Sequence, residues 1–217
     1  MTDRPILFQA DMVRAILDGR KTMTRRPLRI QPLDVIPMKV PNEWVTLRTR
    51  DPEPHGDVIR CRFGGVGDRL WVRETWGALP HFDHVAPRDI PKFAEINYAA
   101  DGPCPIVTKW RPSIFMPRWA SRITLEIVNV RCERVQSMPR DDAFFEGVSP
   151  IDPYEIQPDL PAGFPAAFPD YGDPTNFFTA DPVMSFASLW DKINAKRGFG
   201  WDENPYVWVV EFRKVTE

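Results

Sequence analysis

Hydrophobic and polar positions alternate most clearly in two places along this chain. "SRITLEIVNVRCERV" (Ser121 to Val135) puts Ile123, Leu125 and Ile127 on one face and Val128, Val130 and Cys132 on the other. Period-two alternation of this kind predicts a strand, and the switch of face at Ile127–Val128 predicts a bulge or bend within it. "DRLWVRETW" (Asp68 to Trp76) alternates Leu70, Val72 and Glu74 with Trp71, Arg73 and Thr75, a second strand introduced by a turn at Gly64, Gly65 and Gly67. "YVWVVEFRKV" (Tyr206 to Val215) predicts a closing strand, and "PILFQ" (Pro5 to Gln9) a short opening one.

Helical periodicity appears three times. "MVRAILDG" follows Asp11, a suitable N-cap; Met12, Ala15 and Ile16 form the expected apolar face, and Gly19 sits where a left-handed C-cap belongs. "SMPRDDAFFEGV" predicts a short helix with Ser137 near its cap, acidic residues in its first turn and Gly147 as its stop. In "ADPVMSFASLWDKINAKRG", Asp181 caps and Pro182 takes the first helical position. Val183, Phe186, Leu189, Trp190 and Ile193 form the stripe, and Gly198 ends the helix. The basic "KINAKRG" end suits the negative pole of the helix dipole.

Composition changes this picture in one respect. Proline accounts for 24 of 217 residues, about twice the usual ~5%. It gathers in residues 27–62, 77–112 and 149–182, which are expected to be long irregular insertions. The strands do not alternate regularly with helices, which argues against a doubly wound parallel sheet. A mainly β, α+β single domain spanning 1–217 is expected: a small mixed or antiparallel barrel with peripheral helices.

The net charge of −2 argues against a surface that coats duplex DNA, while leaving room for a local basic pocket. Cys61, Cys104 and Cys132 are odd in number and lack a CxxC, so reduced thiols in a cytoplasmic protein are expected and a zinc ribbon is not. Asp3 and Arg4 precede any apolar run, so no signal peptide is expected, and no apolar stretch approaches ~20 residues. "HFDH" (His81 to His84) lies in loop and supplies too few ligands for a metal. The sequence calls for no cofactor and no metal.

The densest charge is in "LDGRKTMTRRPLR" (Leu17 to Arg29), which holds Arg20, Lys21, Arg25, Arg26 and Arg29 directly after a helix-stop glycine. Its block "GRKTMTRR" resembles the signature of the ASCH domain, a PUA-like β-barrel family. "VGDRLWVRETW" is similar to that family's second strand, and "EGV" after a short helix and the final "VWVVEF" are similar as well. "RPSIFMPRWASRITLEI" and "LWDKINAKRGFGWDENPYVWVVEF" resemble the phage- and prophage-encoded branch of the family. Phe115 stands where such relatives tend to have histidine.

The resemblance implies a barrel cleft that binds RNA or a modified nucleoside. A shorter ASCH enzyme hydrolyses N4-acetylcytidine, and its motif positions fall here on Lys21, Thr24 and Glu146; another branch cuts RNA. On this reading Lys21 is the base, Thr24 the nucleophile and Glu146 the acid that protonates the leaving amine. Arg20, Arg25 and Arg26 would lower the Lys21 pKa or hold phosphate. Glu74 either pairs with Lys21 or Arg26 at the cleft or is an exposed strand end, and Trp76 is the tryptophan chosen to stack a base. One objection comes from the residues themselves: in a regular strand, positions three apart face opposite ways, so Lys21 and Thr24 cooperate only across a turn or bulge. Two alternatives stay open. One is a non-catalytic RNA-binding module; the other is a phage accessory protein that binds a host protein through residues 149–182.

Overall fold

A computed structural model describes residues 2–39, 41–47, 56–152, 154, 159–160, 167–171 and 178–215. Much of the expected insertion 149–182 and part of 27–62 lie outside the described residues. In chain order the elements begin with β1 (Asp3–Leu7), α1 (Ala10–Leu17), β2 (Met23–Pro27), β3 (Asp34–Pro37), β4 (Glu43–Leu47) and β5 (Val58–Arg60). They continue with β6 (Arg69–Arg73), β7 (Trp76–Ala78), β8 (Ile96–Tyr98), β9 (Thr124–Arg134) and α2 (Arg140–Phe145). The short β10 (Phe168–Pro169) and β11 (Phe178–Thr179), then α3 (Pro182–Asn194) and β12 (Tyr206–Lys214), complete the chain.

The protein is a mixed, sheet-rich α+β chain. The chain divides into two compact units, each assembled from separated segments. The first comprises residues 1–19, 61–129 and 211–217; the second comprises 20–60 and 130–210. Strands β9 and β12 each have residues in both.

In the first unit β1 runs parallel to β6, with Asp3 opposite Arg69 and Leu7 opposite Arg73, while β6 pairs antiparallel with β9 through Leu70 and Leu125. Ile6, Leu70, Val72, Leu125 and Ile127 are buried, and Phe8 meets Phe212 at 6.1 Å. The predicted face switch in β9 occurs at Val128–Asn129, two consecutive exposed residues after buried Ile127 and before buried Val130. Gly64 adopts φ +116°, and a Cβ there would lie 2.5 Å from Arg4 Nη1, so the turn into β6 requires glycine. The stretch 77–112 is not wholly irregular. β7 and β8 pair within it, over a core of Trp76, Ala78, Ile90, Met116 and Ala120.

In the second unit the order is β9-β12-β2, with β3-β4-β5 as a separate antiparallel sheet inside the stretch expected to be loop. Tyr206 through Val210 are all buried, which explains the continuous apolar run of β12. Val207 and Val209 join a core of Met23, Val135, Met138, Ala143, Phe186 and Trp190, while Trp208 meets Trp44 of β4 at 4.8 Å. Asp181 caps α3 by accepting from the Val183 amide at 2.9 Å, and Gly198 closes it at φ +78°. Its buried side is set by Phe186, Ala187, Trp190 and Asn194, with Leu189 and Ile193 only half-buried.

The barrel expectation needs correction: among the described residues no sheet closes on itself. Two smaller expectations also shift. Gln9, not Asp11, is the N-cap of α1, and Val13 replaces Met12 on its buried face. Pro139 is the N-cap of α2, with Ser137 two residues before it. Among the described residues no helix is long and apolar enough to cross a membrane.

Candidate functional site

Gly19 ends α1 at φ +76°, the left-handed conformation that reverses the chain. The backbone then passes α2, where the Thr22 amide donates to Phe145 O at 2.9 Å, and enters β2. This route carries the Lys21 side chain inward until the residue is only 2% exposed. Its ammonium donates to Met23 O, Glu146 O and Glu146 Oε2, each at 2.7 Å. Glu146 occupies the C-cap of α2, its amide donating to Asp142 O at 2.9 Å, and Gly147 at φ +99° turns the chain away immediately afterwards. Two residues 125 positions apart are thereby held as a buried ion pair.

Within β2 the side chains alternate, so Met23 and Arg25 face one way and Thr24 and Arg26 the other. Arg25 is buried. Its Nη1 donates to Glu146 Oε1 at 3.3 Å; its Nη2 donates to Glu133 Oε1 at 2.7 Å and to Asp142 Oδ2. Arg131 completes a ring: Nε donates to Glu133 Oε2 at 2.9 Å and Nη2 to the same Asp142 oxygen. Arg131 and Glu133 are two apart on β9, which places them on one face. The network joins three cations (Lys21, Arg25 and Arg131) to three carboxylates (Glu133, Asp142 and Glu146).

Burial lowers the Lys21 pKa from its ordinary value; Glu146 opposes this, and Arg26 and Arg25 add to it. Burial alone would also depress Arg25, but the carboxylates of Glu146, Asp142 and Glu133 more than offset it and hold the guanidinium above its ordinary value. Both oxygens of Glu146 are engaged, one by Lys21 and one by Arg25. A single proton moved along the 2.7 Å contact converts an ammonium–carboxylate pair to amine and carboxylic acid.

The other expected residues are dispersed. Thr24 is buried in β2, across the strand from Met23 and Arg25. Arg20 is exposed and reaches Gly147 O at 3.5 Å; Arg26 is half-buried. Arg25, expected to reach phosphate, is instead committed to three carboxylates inside the fold. Glu74 belongs to the first unit, just beyond the end of β6, and is 1% exposed. Its partner is neither Lys21 nor Arg26 but Arg122, which grips both oxygens at 3.0 Å; burial raises the Glu74 pKa and Arg122 counters it. Trp76 is also in the first unit and fully buried, so it offers no face on which a base can stack. Phe115 lies exposed in a single turn at Ser113–Phe115. The His81 ring rests on Phe82 at 3.9 Å, and among the described residues no three potential metal ligands cluster.

Arg131, Glu133 and Asp142 were not anticipated as part of the site. A signal for the first two was present: opposite charges two apart within a strand share a face and read as an ion-pair rung.

No family model, no curated protein and no solved structure matches the chain.

Proposed function

We propose that this is an ASCH-type, PUA-like protein whose second unit binds a nucleoside or a single-stranded RNA nucleotide and hydrolyses the amide of an N4-acylated cytidine. The observation that supports it is the 2.7 Å contact between Lys21 and Glu146, both buried and brought together from distant parts of the chain. A buried ion pair contributes little to stability relative to apolar packing of the same volume, so its presence calls for a chemical use.

The reaction uses the pair in its amine–acid form. The Lys21 amine takes the Thr24 hydroxyl proton as Thr24 Oγ1 bonds to the acyl carbon. The C–N4 bond then breaks, and the departing nitrogen receives the Glu146 proton. Lys21 is left as ammonium and Glu146 as carboxylate, and water hydrolyses the threonine ester to release the carboxylic acid. Thr24 must present its hydroxyl to this pair for the sequence to run, which makes Thr24 the residue on which the chemistry is most exposed to test.

The assay is incubation with N4-acetylcytidine and chromatographic detection of cytidine. The expected result is turnover by the native protein that is lost in Lys21→Ala and in Thr24→Ala, with folding of each variant checked by circular dichroism. Saturable binding of cytidine or a short single-stranded RNA without turnover would reassign the protein as a non-catalytic binding module. Neither binding nor turnover would refute the reading.

A further inference from the structure

We propose that Trp76, Arg111 and Asp83, all in the first unit, form a site for a single hydroxyl oxygen that accepts from two N–H groups and donates to one carboxylate. Trp76 and Arg111 are directly opposed across an antiparallel bridge, the Trp76 amide donating to Arg111 O at 3.2 Å and the Arg111 amide to Trp76 O at 2.7 Å. Directly opposed residues project their side chains to the same face, and the guanidinium carbon accordingly stands 5.3 Å from the indole centroid. Trp76 is 0% and Arg111 4% exposed.

Both side chains carry a buried donor that no protein atom satisfies. Trp76 Nε1 has no partner, and neither does Arg111 Nη1, although Nη2 of the same guanidinium donates to Phe82 O at 2.7 Å. Beside the Arg111 guanidinium is a carboxylate oxygen in the complementary condition. Asp83 Oδ2 accepts the Thr108 hydroxyl, but Oδ1 is buried without a donor. Arg111 Nη1 and Asp83 Oδ1 are 3.9 Å apart, too far for a direct hydrogen bond and close enough for one intervening atom to reach both. An unsatisfied buried polar atom destabilises a fold, and one shared partner would satisfy all three at once.

Charge and valence define that partner. An anion would be repelled by Asp83 and a cation by Arg111. An alcohol hydroxyl, with two acceptor lone pairs and one O–H, matches two donors and one acceptor, and a water matches them with one O–H to spare. Asn97 Nδ2, another buried amide without a partner, is not part of the site. Asn97 pairs with Gly77, one position along β7, so its side chain takes the opposite face of the β7–β8 ribbon from Trp76.

The test is made on the native protein by heteronuclear NMR of the Trp76 indole N–H, assigned by its loss in Trp76→Phe or, should that variant not fold, by through-space contacts to Met116 and Ala120. An internal water gives an Overhauser effect between the indole proton and a water of long residence. A hydroxyl ligand gives instead a saturable shift of the same resonance on titration with ethylene glycol. Either result supports the site and distinguishes the two sources. Indole exchange with solvent as fast as that of an exposed tryptophan, with neither signal present, overturns it.

Discussion

Replacing Glu146 with glutamine tests whether the Lys21–Glu146 contact is an ion pair on which the fold depends. The variant keeps the side-chain shape and the backbone carbonyl that also accepts from Lys21, and removes one charge. Lys21 then has two ways to remain in the core. It can stay charged without its counter-ion, at a cost of about 3–5 kcal/mol. Alternatively it can enter the fold as a neutral amine, at a cost of ~1.36 kcal/mol for each of the ~3.4 pH units between pH 7 and an ordinary lysine pKa near 10.4, or about 4.6 kcal/mol. The routes are comparable at pH 7, so a loss of about 3–5 kcal/mol is expected there. At pH 9 the neutral route costs only about 1.9 kcal/mol and wins. A lysine whose folded pKa lies below its unfolded value binds more protons when unfolded, so stability rises with pH up to the unfolded pKa and is lost as pH falls. The defect of Glu146→Gln should therefore shrink between pH 7 and 9. Lys21→Met combined with Glu146→Leu removes both charges and should recover most of the loss. Urea unfolding followed by tryptophan fluorescence at pH 7, 8 and 9 measures all of this. A loss under about 1 kcal/mol at pH 7, or a double variant no better than Glu146→Gln, would refute the argument.

Three further outcomes follow from geometry elsewhere. Gly77→Ala places a Cβ 2.4 Å from Val107 Cγ1, so thermal unfolding should show a loss of about 1–3 kcal/mol from overpacking. The Thr2 amide, with the Gly65 amide and Arg4, holds the Asp68 carboxyl well below the usual carboxylate range. That stability is present above the unfolded pKa near ~3.9 and lost as pH falls through the folded value, so Asp68→Asn should flatten the acid limb of a stability–pH curve. Burial pushes the Cys61 thiol up to about 11, so at pH 8 iodoacetamide should label Cys61 more slowly than the half-buried Cys104 and Cys132, as read by peptide mass spectrometry.

Features set by local chemistry could be read from the residues alone. Gly19, Gly147 and Gly198 all adopt positive φ where a helix stop was expected, and Asp181 caps α3 as its position before Pro182 implied. Features set by distant pairing could not. The parallel match of β1 with β6 joins segments 66 residues apart, and no local pattern encodes it. Strands β3 to β5 were obscured because the prolines around them outweigh a short alternation, Trp44 and Thr46 inward and Val45 outward, that becomes visible only once the sheet is known. In the candidate site, Lys21 and Glu146 came from resemblance to a family signature, and the structure puts them in contact. Arg25 adds to the lowering of the Lys21 pKa, as expected of it, but its inward placement was not foreseen, for a physical reason. An arginine in a basic run looks solvated, but alternation in β2 turns this one inward, and the carboxylates that neutralise it lie more than 100 residues away.

That inward turn limits what the proposed site can do with a polynucleotide. Of the arginines in the Leu17–Arg29 stretch, Arg25 is consumed by Glu133, Asp142 and Glu146, and Arg26 is half-buried, which leaves Arg20 and Arg29 exposed. Each phosphate neutralised on a single strand contributes about −0.7 to the slope of log K against log salt concentration. Two such contacts give a slope of about −1.4, far shallower than a protein that tracks a nucleic-acid backbone would show. Binding of a short single-stranded RNA, measured by fluorescence anisotropy across a salt series, should therefore respond weakly to salt, and binding of cytidine should not respond at all. A slope several times steeper would mean that other basic surfaces carry the affinity, and the buried Lys21–Glu146 pair would lose its claim to be where recognition happens.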